Sequence, residues 1–276
     1  MNIIKSSIFL LLGFLISCSN EKKLIKRPNV VWLVAEDLGL YIPSFGDSTI
    51  STPNLSRLAD EGVRYTNVYS VSGVCSPSRA SIVTGMYPTS IGAHHMRTLS
   101  QQPEAKKKGL INYEVVTPPQ VKMVSQILRE KGYYCTNNKK EDYQFYKSIT
   151  AWDESSIFAH WRNRANDQNF FSIFNFGVTH ESNLWDPWYR HFDLEPFPPK
   201  RGIGKWWEQF AGIEKPLYIP DSIQISVPPY LPTSDIVKRD MQRMYSNIIE
   251  MDKKVGLILG QLEEDNLLES TIVVFY

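Results

Sequence analysis

From Asn29 the chain runs Val-Val-Trp-Leu-Val-Ala before it meets a charge at Glu36. A strand with one wet face alternates apolar and polar residues, whereas an unbroken apolar run is what a strand buried on both faces requires. Such a strand needs helices on two sides of its sheet, and this restricts the fold more than any other feature. The next segments comply. Thr52-Pro53 supplies an N-cap and a first-turn proline, Leu55, Leu58 and Ala59 share one apolar face, and Gly62 closes the helix. Val63 to Val68 then reads as a returning strand. This βαβ-like alternation predicts an α/β fold with a central mixed, mostly parallel sheet flanked by helices.

Later segments extend the pattern. Pro77 fits a first-turn proline, which puts a helix over 77–84 with Cys75 just ahead of its N-terminus. Pro118-Pro119 opens a helix over 119–131, with Val121, Val124, Ile127 and Leu128 at helical spacing and Gly132 as its stop. Gly132 to Thr136 reads as a short buried strand in which Cys135 is a packed thiol. Phe170 to Phe176 is a second buried strand. Residues 185–232 are rich in Pro, Trp and Tyr without periodicity and read as long ordered loops or an insertion. From Ser234 to Asn266 one long helix aligns Met241, Met244, Tyr245, Ile248, Met251, Val255, Ile258, Leu259 and Leu262, a core face rather than a cofactor feature. Thr271 to Tyr276 is a final apolar strand.

The formal net charge of +1 argues against a nucleic-acid binder. At the N-terminus Lys5 precedes an apolar run, Ile8 to Ile16, too short to span a membrane but suited to a secretory signal. It ends in Leu15-Ile16-Ser17-Cys18, which resembles a bacterial lipobox. Residues 1–18 are then a lipoprotein signal peptide, Cys18 the lipidation site, 19–27 a polar tether and 28–276 the folded part. The expected location is extracytoplasmic, lipid-anchored in a bacterial envelope membrane, at the periplasm or cell surface. With Cys18 lipidated and Cys75 modified, as argued next, Cys135 has no partner, and no disulfide framework is expected.

Cys75-Ser76-Pro77-Ser78-Arg79, followed by Ala80-Ser81-Ile82-Val83-Thr84-Gly85, resembles the maturation signature of type I, formylglycine-dependent sulfatases of the alkaline-phosphatase-like superfamily. The similarity runs from about Pro28 to the last residue with an unmatched middle, and is closest to heparan N-sulfatase (sulfamidase)-like members. It implies that a sulfatase-maturating enzyme oxidises Cys75 to a formylglycine aldehyde. One hydroxyl of the hydrated aldehyde attacks sulfur, and the other expels sulfate as the aldehyde re-forms. It also implies a Ca²⁺ ion held by Glu36, Asp37 and residue 75, with Glu36 standing where typical members have aspartate. Lys140, with Lys139 as register alternative, matches the lysine of a Gly-Lys-x-His motif whose histidine is replaced here, with Asp142 nearest. His180, in Gly177-Val178-Thr179-His180-Glu181-Ser182, resembles the family histidine near the leaving group and is a general-acid candidate. Arg79 is the catalytic arginine of the signature, and His94, His95 and Arg97 are candidates for substrate contact. No zinc is expected at His94-His95, which lack an acidic or cysteine partner at metal spacing.

Met251-Asp252, Val255-Gly256, Ile258-Leu259 and Ser270 to Phe275 match a further family stretch. The resemblance places two more metal ligands directly after it. The chain as given is therefore expected to be truncated, without those ligands and without the C-terminal subdomain. Physical chemistry supports the assignment of residue 75 independently, because a helix N-terminus presents free N–H groups and partial positive charge to an anion. Trp185, Trp188, Tyr189, Trp206 and Trp207 suit either sugar stacking or the packing of an irregular insertion. The implied function is hydrolysis of sulfate esters or N-sulfates on sulfated carbohydrate. The alternatives are a phosphonate or phosphodiester hydrolase using the same aldehyde, and an inactive glycan-binding lipoprotein.

Overall fold

The computed structural model describes residues 27–96, 103–110, 114–184, 219 and 223–276. Five strands form one sheet: β1 (Asn29–Ala35), β2 (Tyr134–Asn138), β3 (Glu154–Ser156), β4 (Phe170–Phe176) and β5 (Thr271–Phe275), in the spatial order β3-β2-β4-β1-β5. Every pairing among the described residues is parallel, with Val30 of β1 set between Phe171 and Ile272. The α-helices among the described residues are α1 (Pro53–Glu61), α2 (Cys75–Thr84), α3 (Pro103–Lys107), α4 (Val124–Glu130) and α5 (Asp235–Glu264). No helix among the described residues is long and apolar enough to cross a membrane.

The unbroken apolar runs follow from this layering. Val31 and Leu33 of β1, with Phe170 and Phe174 of β4, pack against Ile248, Met251 and Val255 of α5. The alternate residues Val34, Phe171 and Ile173 face Ala80 and Val83 of α2 and Met123, which leads into α4. Successive side chains point to opposite faces, so both faces need apolar residues and no alternation survives. The aligned residues of α5 are buried as their spacing predicts, with Met244 partly so. Ser234 caps that helix, its Oγ accepting from the Val237 amide at 3.4 Å.

Asp252 and Gly256 join α5 to α1. The Asp252 carboxylate accepts from the Leu55 amide at 2.8 Å and the Asn54 amide at 3.3 Å, capping α1 from another element. Thr52 occupies the cap position without a side-chain bond of its own. The Asn54 side chain donates to the Asp252 carboxylate at 2.9 Å and its carbonyl at 3.0 Å, and a Cβ on Gly256 would lie 2.6 Å from that amide. Because those hydrogen bonds pin Asn54, it cannot swing aside cheaply. Gly256→Ala is expected to lose about 1–2 kcal/mol net, overpacking outweighing the helix propensity alanine gains. Urea unfolding of the variant measures this, and an unchanged midpoint would contradict the contact.

Four sequence expectations are corrected. Val63 to Val68 forms no strand, and Val63, Tyr65 and Val68 are exposed. Both edges of β1 are already taken by β4 and β5, so a β-prone segment there finds no partner. The expected 119–131 helix begins only at Val124, where Gln126 Oε1 accepts from the Met123 amide at 2.9 Å; Pro118 instead makes a turn with Val121. The strand after it runs from Tyr134 to Asn138, because Gly132 turns the chain at φ +87°. Helix α2 starts at Cys75 itself, so the cysteine lies in the first turn and not ahead of it. Arg97, Cys18, Trp185, Trp188, Tyr189, Trp206 and Trp207 lie outside the described residues.

Candidate active site

Parallel strands end on one edge, and in this sheet that edge gathers chemistry from three adjacent strands. β1 delivers Glu36 and Asp37, β2 leads to Lys140 and Asp142, and β4 leads to His180. The first turn of α2 brings Cys75 and Arg79 to the same edge. The order β2-β4-β1 is therefore what assembles residues separated by more than a hundred positions in the chain.

Glu36 is the hub, only 4% exposed. Its Oε1 pairs with Arg79 Nη2, and its Oε2 receives the Lys140 ammonium at 2.9 Å and the Cys75 thiol at 3.5 Å. Burial alone would raise the Glu36 carboxyl, but the Arg79 guanidinium and the Lys140 ammonium outweigh it and hold it below the usual carboxylate range. Burial pushes the Cys75 thiol up; Lys140 draws it down, while Glu36 and Asp37 push it further up, so the net shift is upward. The sulfur is thus kept as a thiol at neutral pH, a poor nucleophile. In this structure Sγ marks the place of the oxygen that a hydrated formylglycine would carry.

Arg79 Nη1 donates to Asn175 Oδ1 at 2.7 Å. The Asn175 amide is fixed in that sense because its Nδ2 donates to Asn137 Oδ1 at 3.1 Å and the Asn138 carbonyl at 2.9 Å. Asn175 escaped the sequence reading, although a lone amide inside the apolar run Phe170–Phe176 is the signal that marks it. Asp142, which stands near the missing histidine, accepts from Ser76 Oγ at 2.6 Å and faces Lys140 Nζ at 3.5 Å. It thereby ties the first turn of α2 to the end of β2. Ser78 meets Ser70, its hydroxyl oxygen 3.0 Å from that of Ser70.

His180 lies with Nε2 3.9 Å from Asp37 Oδ2. Its Nδ1 accepts from the Ser182 amide at 3.2 Å, which leaves the proton of the neutral ring on Nε2. Asp37 sits at φ +49° and accepts from the Glu181 amide at 3.0 Å, so the two strand ends are tied together. His94 and His95 are exposed and lie against each other with ring centroids 4.1 Å apart. Cys135 is fully buried in β2, its thiol pushed up to about 12 by burial, as a packed residue should be. Cys75 and Cys135 are both free.

The donor set suits a hard divalent cation. Arg79 and Lys140 face the carboxylates of Glu36 and Asp142, and Asp37 lies beside His180, so these five formal charges leave one negative charge in excess. An anionic substrate requires the opposite sign, and a bound divalent ion would supply it. Of the groups expected to hold such an ion, Glu36 and residue 75 lie together with His180, their ligand atoms within 4.8 Å of one another, while Asp37 stands 3.9 Å from His180 Nε2.

A parallel α/β sheet with a charged cluster at its carboxyl edge is the class of fold the structure defines. The sulfatase family model matches residues 28–276, and the chain belongs to that family. It is 54% identical over 267 residues to an ulvan-active sulfatase of Formosa agariphila, covering 94% of this chain and 44% of that protein. It is 24% identical to the human N-sulphoglucosamine sulphohydrolase, covering 90% of this chain and 50% of that protein. A solved 2-O GAG sulfatase superposes with a TM-score of 0.58 at 16% identity, covering 90% of this chain and 57% of that one. The chain thus spans about half the length of the curated relatives it matches.

Proposed function

We propose that this chain carries the nucleophile-bearing part of a sulfatase that hydrolyses sulfate esters or N-sulfates on a carbohydrate. The observation that carries the reading is the placement of residue 75. It opens α2 beside Glu36, with Lys140 on the same carboxylate oxygen and Arg79 on the other. Oxidised by a sulfatase-maturating enzyme and hydrated, residue 75 supplies an oxygen nucleophile. A divalent cation, assigned as Ca²⁺, on Glu36, Asp37 and residue 75 supplies positive charge toward the sulfate oxygens.

The remaining work falls to side chains present in the structure. Arg79, held in place by Asn175, and the more mobile Lys140 offer donors to the sulfuryl oxygens at the N-terminus of α2. His180 holds a proton on Nε2 at the rim of the cluster, where a departing oxygen or nitrogen can take it. The name of the Formosa relative makes ulvan the first glycan to test. The lipobox-like Leu15-Ile16-Ser17-Cys18 supports an extracytoplasmic, lipid-anchored protein.

Mass spectrometry of the peptide containing residue 75, after co-expression with a maturating enzyme, tests the reading directly. The expected product is an aldehyde in place of the thiol; a retained thiol sinks the mechanism. Turnover assays then separate chemistries on the same scaffold, with a nitrophenyl sulfate expected to be hydrolysed well ahead of a phenyl phosphonate.

A further inference from the structure

We infer that, before residue 75 is oxidised, Cys75, Glu36 and His180 form a three-donor site for a borderline-soft divalent metal, zinc above all. The three offer one ligand atom each, and these lie within 4.8 Å of one another. Cys75 Sγ and Glu36 Oε2 are 3.5 Å apart. Tetrahedral zinc with Zn–S of about 2.3 Å and Zn–O of about 2.1 Å separates such a pair by about 3.6 Å, so this edge of the site is already at zinc spacing. Thiolate, imidazole and carboxylate are zinc donors, whereas a calcium shell takes oxygen throughout.

The outer contacts suit the same ion. Glu36 Oε1 is held by Arg79, which leaves Oε2 directed at the sulfur. Ligation needs the neutral His180 ring to switch tautomer: Nε2 gives up its proton to become the ligand, and Nδ1–H donates to Ser182 Oγ, 2.9 Å away, in place of accepting from the Ser182 amide. The donors come from the end of β1, the first turn of α2 and the turn after β4, so the sheet and not a loose loop sets their spacing. Lys140 is the competitor, its ammonium 2.9 Å from Glu36 Oε2. Its side chain is 27% exposed on a flexible stem and swings out when zinc enters. Binding releases the thiol proton to solvent, and zinc and thiolate share the sulfur lone pair.

Conversion of Cys75 to an aldehyde removes the sulfur donor of this three-residue group. Maturation then changes which metal the pocket prefers, from zinc to a hard cation. That consequence rests on the proposed function; the zinc site itself needs only the thiol-bearing chain.

Cobalt(II) serves as the probe, titrated into the full chain made without a maturating enzyme. One equivalent is expected to give a thiolate-to-cobalt charge-transfer band with intense tetrahedral ligand-field bands, both erased by added zinc. Cys75→Ser is expected to lose the charge-transfer band although Cys135 remains. His180→Asn and Glu36→Gln are each expected to weaken binding at least about tenfold, and Lys140→Ala to tighten it. Circular dichroism of each variant establishes that it is folded. Absence of the band in the parent chain, or its persistence in Cys75→Ser, overturns the site, as does unchanged affinity in His180→Asn. A thiol that persists after co-expression with the maturating enzyme would remove the sulfatase mechanism while leaving this site standing.

Discussion

Cys75→Ala, made in a maturation-competent host, is expected to lower turnover of a nitrophenyl sulfate by at least about 10⁴-fold, the scale seen when a covalent nucleophile is deleted. The fold should hold. Residue 75 is the first residue of α2, alanine is the best helix former, and the lost thiol makes a single 3.5 Å contact to Glu36. Binding of a sulfated glycan should remain measurable, because Arg79, Lys140 and the α2 amides are untouched. Kinetics with a matched binding measurement separates the two effects. Turnover within tenfold of the parent would show that residue 75 is not the nucleophile, and loss of binding together with turnover would point to collapse of the pocket.

The fold was legible wherever burial acts along a short stretch of chain. β1 is an unbroken apolar run and β4 nearly so because both their faces are covered, and α5 repeats apolar residues at 3.6-residue spacing because one stripe lies on the sheet; β5 is as apolar, yet only Val273 and Phe275 pack on the core while Ile272 and Val274 are exposed. β3 was missed for the complementary reason. Glu154-Ser155-Ser156 has no apolar signal and exists as a strand through pairing with Thr136 to Asn138 at the sheet edge. Val63 to Val68 fails in the opposite direction, with strand-forming residues that pair with no strand among the described residues. Pairing is a property of distant segments, and local composition does not carry it.

The same division holds in the active site. Glu36-Asp37 stands out as the first charge after an apolar strand, and Cys75 with Arg79 are one helical turn apart. Lys140 and Lys139 could not be separated by counting. Lys139 sits at φ +96°, and this turn of the backbone directs the following lysine onto Glu36. Asn175 became meaningful only once β4 was placed between β1 and β2, where its amide spans Arg79 and the end of β2. Asp142 likewise gains a role through Ser76, sixty-six positions earlier in the chain.

Acid should destabilise the fold through His160, by about 3 kcal/mol between pH 6.5 and 4. The ring is fully buried, 4.0 Å from the Trp161 ring and 5.5 Å from that of Phe174. Nδ1 accepts from the Arg162 amide at 3.1 Å, so Nε2 carries the proton and donates to Gln261 Oε1 at 3.1 Å. Both nitrogens are satisfied in the neutral form. Burial lowers the pKa to about 4 from 6.5, Arg162 and Arg164 adding to the shift against the Gln261 hydrogen bond and Asp265. Between those values the unfolded chain binds a proton that the folded chain refuses, so stability is full above about pH 6.5 and falls as the pH drops toward 4. Urea midpoints at pH 7, 5.5 and 4.5 measure the slope, and His160→Gln should flatten it relative to the parent. Equal slopes would mean that another group bears the acid sensitivity. The consequence reaches the active site, because Gln261 lies on α5, and His160 with Trp161 clamps that helix to β4, from whose end His180 projects.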